Sequence, residues 1–399
     1  MTSPPQANGH AHHIAPLDAS LLTIQRAETL KPVPEPGTYT FGDIKTDHML
    51  VMTYDPVVGW SAPQIKPYGP LALDPASNCF QYCTNVFEGM KAILNPDGTP
   101  CMFRPVDNMR RLQSSGARMA LPPFDADALL TCITKLVLTE ARWIPAVPGH
   151  ALYIRPTLIG TKPSIKVGAS DHATLYTIVT PVGPYFPTTT GGVSLLAVGE
   201  HVRSWPGGTG GFKLGLNYSP GFVPQQAAAV LGYDQVLWLI GEDKQITEAG
   251  AMNFFAVVER DDGGLNIVTP PLDGTILPGI TRDSTLVLLH AHAADTSRKI
   301  LDLPVDKPVY IEERILSVNE LAEWAKAGNL LECFGTGTAV LVVAVERIGD
   351  LVGADVKQVR DIEMKAGRGL GPVGQALWDK LLALKEGRDE FAGWSVKCE

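Results

Sequence analysis

The chain has 399 residues, 45% hydrophobic and 19% charged, enough to bury a full-sized core and incompatible with a largely disordered protein. Its formal net charge of −9 leaves no basic stripe to neutralise phosphates, which excludes nucleic acid as the main partner and points to a small-molecule enzyme. The six cysteines, Cys79, Cys83, Cys101, Cys132, Cys333 and Cys398, lack the density of a disulfide framework, and Cys79 and Cys83 have no second close pair, so a reducing compartment and no metal site are expected.

Residues 1–36 read as a flexible N-terminal extension. His10, His12 and His13 lie in a Pro/Gly/Asn-rich stretch, and the first basic residue is Arg26. Neither a signal-peptide core nor the arginines of a mitochondrial presequence is present, and no apolar run reaches the ~18 residues of a membrane span. The expected location is cytoplasmic, with the mitochondrial matrix as the alternative.

A small domain is predicted over 37–186. Asp125 caps a helix over 125–144 that carries Leu129, Ile133 and Leu136 on one face and stops at Pro145. Strands are predicted at 151–155 and 174–181. Period-two alternation puts Tyr153 and Arg155 on one side of the first, where the arginine wants either an anion or a structural ion pair. Upstream, Phe103-Arg104-Pro105 opens an amphipathic helix in which Arg110 or Arg111 could reach a phosphate, or simply form a solvated face. The Pro/Thr/Gly-rich run that follows marks a linker at 187–192.

A large domain is predicted over 193–399, with strands at 193–198, 235–240, 253–259 and 265–268 and helices at 220–232 and 279–294. Val373, Leu377, Leu381 and Leu384 follow Pro372 at helical spacing and read as core packing. Most of the candidate chemistry falls here. Lys213 follows four glycines between Trp205 and Phe212 and precedes a fifth, Gly215. Glycine lets the backbone approach a bulky ligand, and a lysine among apolar neighbours loses solvation, which suits an amine nucleophile. A flexible surface loop is the plainer alternative.

Glu248 stands between two predicted strands, where a buried carboxylate calls for a cation. Leu277-Pro278-Gly279-Ile280-Thr281 opens a helix whose first amides could hold a phosphate, and Phe334-Gly335-Thr336-Gly337-Thr338-Ala339 is a second turn able to offer amides and a hydroxyl. No Gly-x-Ser-x-Gly elbow, His-Glu-x-x-His motif or Walker lysine is present.

In combination these segments resemble the branched-chain aminotransferases of fold type IV, which depend on pyridoxal phosphate. Lys213-Leu214-Gly215-Leu216-Asn217-Tyr218 and the run from Gln245 to Asn253 carry the resemblance. Thr46-Asp47-His48-Met49, Val86-Phe87-Glu88-Gly89, Tyr153-Ile154-Arg155-Pro156 and the Pro181 to Phe186 run agree in order. The resemblance implies an α+β fold of two domains, the smaller α/β domain first and the larger built on a barrel-like sheet. It implies reversible transfer of the amino group of leucine, isoleucine or valine to 2-oxoglutarate, in a homodimer.

By the same resemblance Lys213 is the catalytic lysine that carries the cofactor, Glu248 faces the pyridine nitrogen and Tyr218 the phenolate oxygen. Arg111, Ile280, Thr281 and Thr338 hold the phosphate. Phe41, Phe87, Tyr153, Arg155, Tyr185 and Ala339 form the substrate side, Arg155 serving the second carboxylate of glutamate. Tyr82, Ile165 and Val167 are contributed across the dimer interface. Two departures stand out. Val340-Leu341-Val342-Val343 replaces the Cys-x-x-Cys of mammalian members, so their thiol switch is expected to be absent, and Ala251 stands where some members have threonine. A fold-type-IV enzyme acting on D-amino acids, amines or aminodeoxychorismate is the nearest rival, and a catalytically silent scaffold is a more distant one.

Overall fold

A computed structural model describes residues 14–186, 191–295, 299–303, 307–352 and 358–399. The histidines at 10, 12 and 13 and most of the expected linker lie outside the described residues. The strands form two sheets. In the first, of ten strands, the path runs Thr23–Ile24, Gln64–Pro67, His48–Asp55, Ala173–Val182, Ala151–Gly160, Met90–Leu94, Pro100–Phe103 and Ser395–Lys397, with Gly59–Trp60 and Asn85–Phe87 attached at its side. Helices Pro105–Arg118 and Ala126–Thr139 supply Met109, Leu112, Leu129 and Ile133 to a core shared with Leu50, Met52, Ile154 and Leu158 of this sheet. Each of these side chains gives up its water on folding, worth roughly 1.5–3 kcal/mol per large apolar residue.

The second sheet closes on itself. Gln245–Ala249, Gln235–Ile240, Val193–Val198, Leu341–Val352, Leu330–Gly337 and Met252–Glu259 pair in that order, and Glu248 opposite Asn253 and Ala249 opposite Met252 complete a six-stranded barrel. Strand alternation serves two cores here. Phe254, Ala256 and Val258 pack on one face, while Phe255 and Val257 turn to the other, where helices Ile280–Ala294 and Pro372–Lys385 add Leu288, Leu289, Leu377 and Leu381.

Four local expectations are revised. The segment from Ile14 to residue 36 is not a free extension: Leu17 is buried in the first core, Thr23–Ile24 pairs with Gln64–Pro67, and the Lys31 amide donates to Asp47. The helix expected over 125–144 ends at Thr139 and gives way to a 3-10 turn, Ala141–Trp143. Glu140 sits at the break, its carboxylate accepting from the Asp47 amide and meeting His48 Nδ1.

The strand expected to stop at Arg155 runs to Gly160. Pro156 is tolerated because it falls where pairing with Met90–Leu94 ends at Ile154 and pairing with Asn85–Phe87 begins at Thr157, so no ladder bond needs its missing N–H. Finally, the last strand of the chain, Ser395–Lys397, leaves the predicted large domain and pairs with Pro100–Phe103 of the first sheet.

Candidate active site

Between the two sheets lies a cavity of about 430 Å³ whose lining is drawn from both. Lys213 is fixed at its wall by its backbone: its amide donates to Ser115 Oγ at 2.9 Å and its carbonyl accepts from the Phe87 amide at 3.2 Å. The glycines before it allow this docking. A Cβ on Gly210 would lie 2.2 Å from the Thr275 carbonyl oxygen, so no other residue fits there without moving backbone. The Lys213 Nζ donates to Tyr218 Oη at 3.2 Å and stands 5.0 Å from the centroid of the Phe87 ring. The amine thus lies against one hydroxyl and two aromatic rings, those of Phe87 and Tyr218, with no carboxylate within salt-bridge distance among the described residues.

At one end the cavity offers groups for an anion. Helix Ile280–Ala294 starts at Gly279 with no side-chain cap, leaving its first amides open, and Ile280, Thr281 and Thr338 line the cavity beside them. Thr336 Oγ1, in the same lining, is a buried oxygen without a hydrogen-bond partner. Arg111 lines the cavity as well, whereas the side chain of Arg110 is 72% exposed and pairs loosely with Asp107. The orientation of Arg111 is set by Glu88, which is fully buried and accepts from Nε at 2.6 Å and from Nη2 at 2.9 Å. Burial raises the Glu88 carboxyl, but Arg111, Lys213 and Asn108 outweigh it and hold the pKa below the usual carboxylate range.

Glu248 is 2% exposed. Its Oε2 accepts from Arg203 Nε at 3.0 Å and its Oε1 from the Leu277 amide. Burial pushes its carboxyl above the usual range, opposed by Arg203, by that amide and by the charges of Lys213 and Arg111. A carboxylate in this position gains from a further positive charge next to it.

The opposite wall is aromatic. Phe41 packs edge-on against Tyr153 and Tyr185, with centroids 4.9 and 5.2 Å apart, and Phe87 lies 5.1 Å from Tyr218. Arg155 donates from Nη2 to Tyr153 Oη at 3.2 Å and lies over the Phe87 and Tyr153 rings, while its buried Nε has no hydrogen-bond partner. Ala339, Val340 and Ala251 complete this side. The expected substrate-side residues Phe41, Phe87, Tyr153, Arg155, Tyr185 and Ala339 therefore share one cavity with Lys213 and Tyr218.

Three expected residues do not. Ile165 and Val167 are exposed at 71% and 81%, and Tyr82, half-buried, donates its hydroxyl to the Ile165 carbonyl; none of them lines this chain's own cavity. Three others were not singled out from sequence for the parts they play. Glu88 orients Arg111, Arg203 grips Glu248, and Asn253 donates from Nδ2 to the Leu277 carbonyl at 2.9 Å, steadying the turn that leads into the open helix. Glu88 could have been found from its place beside Phe87 in an apolar run. Arg203 carries no such signal, because its partner lies 45 positions away in the chain.

An amine beside a phenol, a buried carboxylate that gains from a cation, and an open helix start with a spare buried hydroxyl are what a phosphorylated pyridine aldehyde requires. The residues present fit that group. The model of the class IV amino-transferases matches residues 85–348. The chain belongs to the class IV aminotransferase family.

Among its relatives are the mitochondrial branched-chain-amino-acid aminotransferase of Schizosaccharomyces pombe, 42% identical with 96% of this chain and 86% of that protein covered, and the cytosolic enzyme of Saccharomyces cerevisiae, 41% identical with 96% and 98% covered. Solved folds agree. The branched-chain aminotransferase of Thermoproteus uzoniensis matches 88% of this chain and 100% of its own with a TM-score of 0.66 at 23% identity. The PLP-form enzyme of Thermobaculum terrenum matches 89% and 99% with a TM-score of 0.65 at 21% identity.

Proposed function

We propose that the chain is a branched-chain L-amino acid aminotransferase that uses pyridoxal phosphate to pass an amino group between leucine, isoleucine or valine and 2-oxoglutarate. The observation that carries this reading is the cavity itself, where the Lys213–Tyr218 pair faces an aromatic, apolar wall broken by a single incompletely satisfied arginine. When bound, the cofactor supplies a carbonyl carbon for the amino group and a ring that accepts electrons.

The chain's residues do the rest. Arg111, the Ile280 and Thr281 amides and Thr338 hold the phosphate, with Glu88 fixing the arginine's fork. Glu248, braced by Arg203, keeps a proton on the ring nitrogen, and Tyr218 donates to the phenolate oxygen. Lys213 carries the cofactor and, once freed, holds and moves the proton at Nζ. The wall of Phe41, Phe87, Tyr153 and Tyr185 takes an aliphatic side chain and excludes water, while Arg155 receives the distal carboxylate of glutamate. One pocket thereby serves an apolar and an acidic substrate in turn. A second copy of the chain would bring Tyr82, Ile165 and Val167 to the rim.

The test follows amino transfer by the PLP-loaded protein from L-leucine, L-glutamate and D-alanine separately. Loss of visible absorbance with L-leucine, restored by 2-oxoglutarate, is the expected result, and Lys213→Ala should remove it. Arg155→Ala should impair the glutamate arm far more than the leucine arm. Reaction with D-alanine alone would assign the site to a different substrate class.

A further inference from the structure

Behind the turn that carries Ala339 lies a second cavity, of about 410 Å³, distinct from the one that holds Lys213 although Tyr185, Phe186, Ala339 and Val340 form a wall common to both. Most of its lining is apolar, including Ile93, Val342, Leu370, Trp378 and Leu382. Two lysines break that lining. Lys385, the last residue of helix Pro372–Lys385, is only 7% exposed and, among the described residues, has neither a hydrogen bond to its amine nor a carboxylate within salt-bridge distance; its Nζ stands 5.3 Å from the Phe103 ring centroid. Lys91 turns its amine inward and donates to the Ala339 carbonyl at 2.8 Å, again without a carboxylate partner among the described residues. Glu386, the acidic residue on the rim, is engaged by Arg388 at 2.6 Å.

Both amines sit where their charge is costly. Burial brings Lys91 down to about 8, and burial together with the charge of Lys91 brings Lys385 down to about 7. Buried charges in proteins are normally paired. Here two amines share a cavity wall with no carboxylate paired to either among the described residues, and a carboxylate between them would relieve the cost of burying their charges and the repulsion between them. The rest of the wall gives the same ligand an apolar surface of a size typical of small-molecule sites, which run from about 300 to 1,000 Å³.

We propose that this cavity is a second binding site, for a small aliphatic carboxylate whose charged end lies between Lys91 and Lys385 and whose body packs on Ile93, Trp378 and Leu382. Because Lys91 also holds Ala339, which lines the Lys213 cavity, an occupant here bears on the turn shared by the two sites.

The probe is 4-methylpentanoate, titrated calorimetrically into the PLP-loaded protein. Two binding events per chain are expected, one at each cavity. Lys385→Met, which keeps the unbranched apolar stem of the side chain and removes its charged end, should weaken one event by at least about tenfold, the loss expected for one charge-assisted hydrogen bond, and spare the other. Leu382→Trp, which fills the cavity from its apolar side and leaves both lysines in place, should weaken the same event; melting curves check that both variants fold.

Two events that both survive Lys385→Met would overturn the proposal, as would an equal loss to inorganic phosphate, which would mean that charge alone is recognised. A single event removed by Lys385→Met would leave this site standing and sink the assignment of the Lys213 cavity to branched aliphatic acids. A single event untouched by it would do the reverse.

Discussion

Two buried carboxylates organise the site by different balances of the same forces. Glu88 meets Arg111 through both oxygens and ends below the normal carboxylate range, whereas Glu248 meets Arg203 through one oxygen and ends above it. The first is a finished ion pair, and the second is left to gain from another positive charge. The two buried lysines make a prediction about pH. Their folded values, about 7 and about 8, lie below the ordinary 10.5, so between those values and 10.5 the unfolded chain binds more protons than the folded one. Stability must then rise with pH across that window, the penalty being fully present below about 7 and relieved as the amines lose their protons. Thermal midpoints of the protein should therefore climb from pH 6 to pH 9, and Lys385→Met should raise the midpoint at pH 6 and flatten the climb. An unchanged slope in the variant would mean that Lys385 is solvated.

At the level of elements, the site depends on places where a neighbour comes too close to the backbone to admit a side chain. Gly89, between strands Asn85–Phe87 and Met90–Leu94, is such a place: a Cβ there would lie 2.0 Å from Tyr153 Oη. Gly89→Ala should push Tyr153 and its partner Arg155 out of register and lower kcat/KM by a factor on the order of 10 to 100, as misplacement of a substrate-positioning group does. Steady-state kinetics with leucine, set beside the PLP affinity of the same variant, separates this from loss of the cofactor site; a variant with full kcat/KM would show that Tyr153 can yield without cost.

Helix starts were the most legible elements. Asp125 caps its helix by accepting from the Ala128 amide at 2.8 Å, and Gly279 and Pro372 mark the starts of theirs as the sequence suggests. Ends were less legible, because what stopped the helix near Thr139 was Glu140 reaching residues more than ninety positions away.

Across the whole molecule, the Lys213 cavity exists only because a ten-stranded sheet and a closed barrel meet with their functional residues facing one another. The C-terminal strand Ser395–Lys397 ties the two together by crossing back to Pro100–Phe103. Ile165, Val167 and Phe80 remain exposed on the first sheet's side of the chain, at 71%, 81% and 60%. Apolar surface of that kind is suited to burial against another copy. If a second chain covers it, Ile165→Asp combined with Val167→Asp should shift the protein from dimer to monomer in sedimentation and lower leucine transamination in parallel. A double variant that is monomeric and fully active would show that one chain suffices.

The sequence by itself determined the chemistry available and much of the secondary structure. Side-chain type fixes what a lysine, a tyrosine or an acid can do, and hydrophobic period and caps are local signals written within a few residues. The resemblance of several ordered motifs then pointed to one family before any contact was known.

What only the tertiary structure decided was who meets whom. Arg203 finds Glu248 across 45 residues, Glu88 takes both oxygens to Arg111, and Lys91 and Lys385, 294 positions apart, come to share one cavity wall. Such pairings leave no local trace, because burial and electrostatics depend on distances that the chain sets only after it has folded.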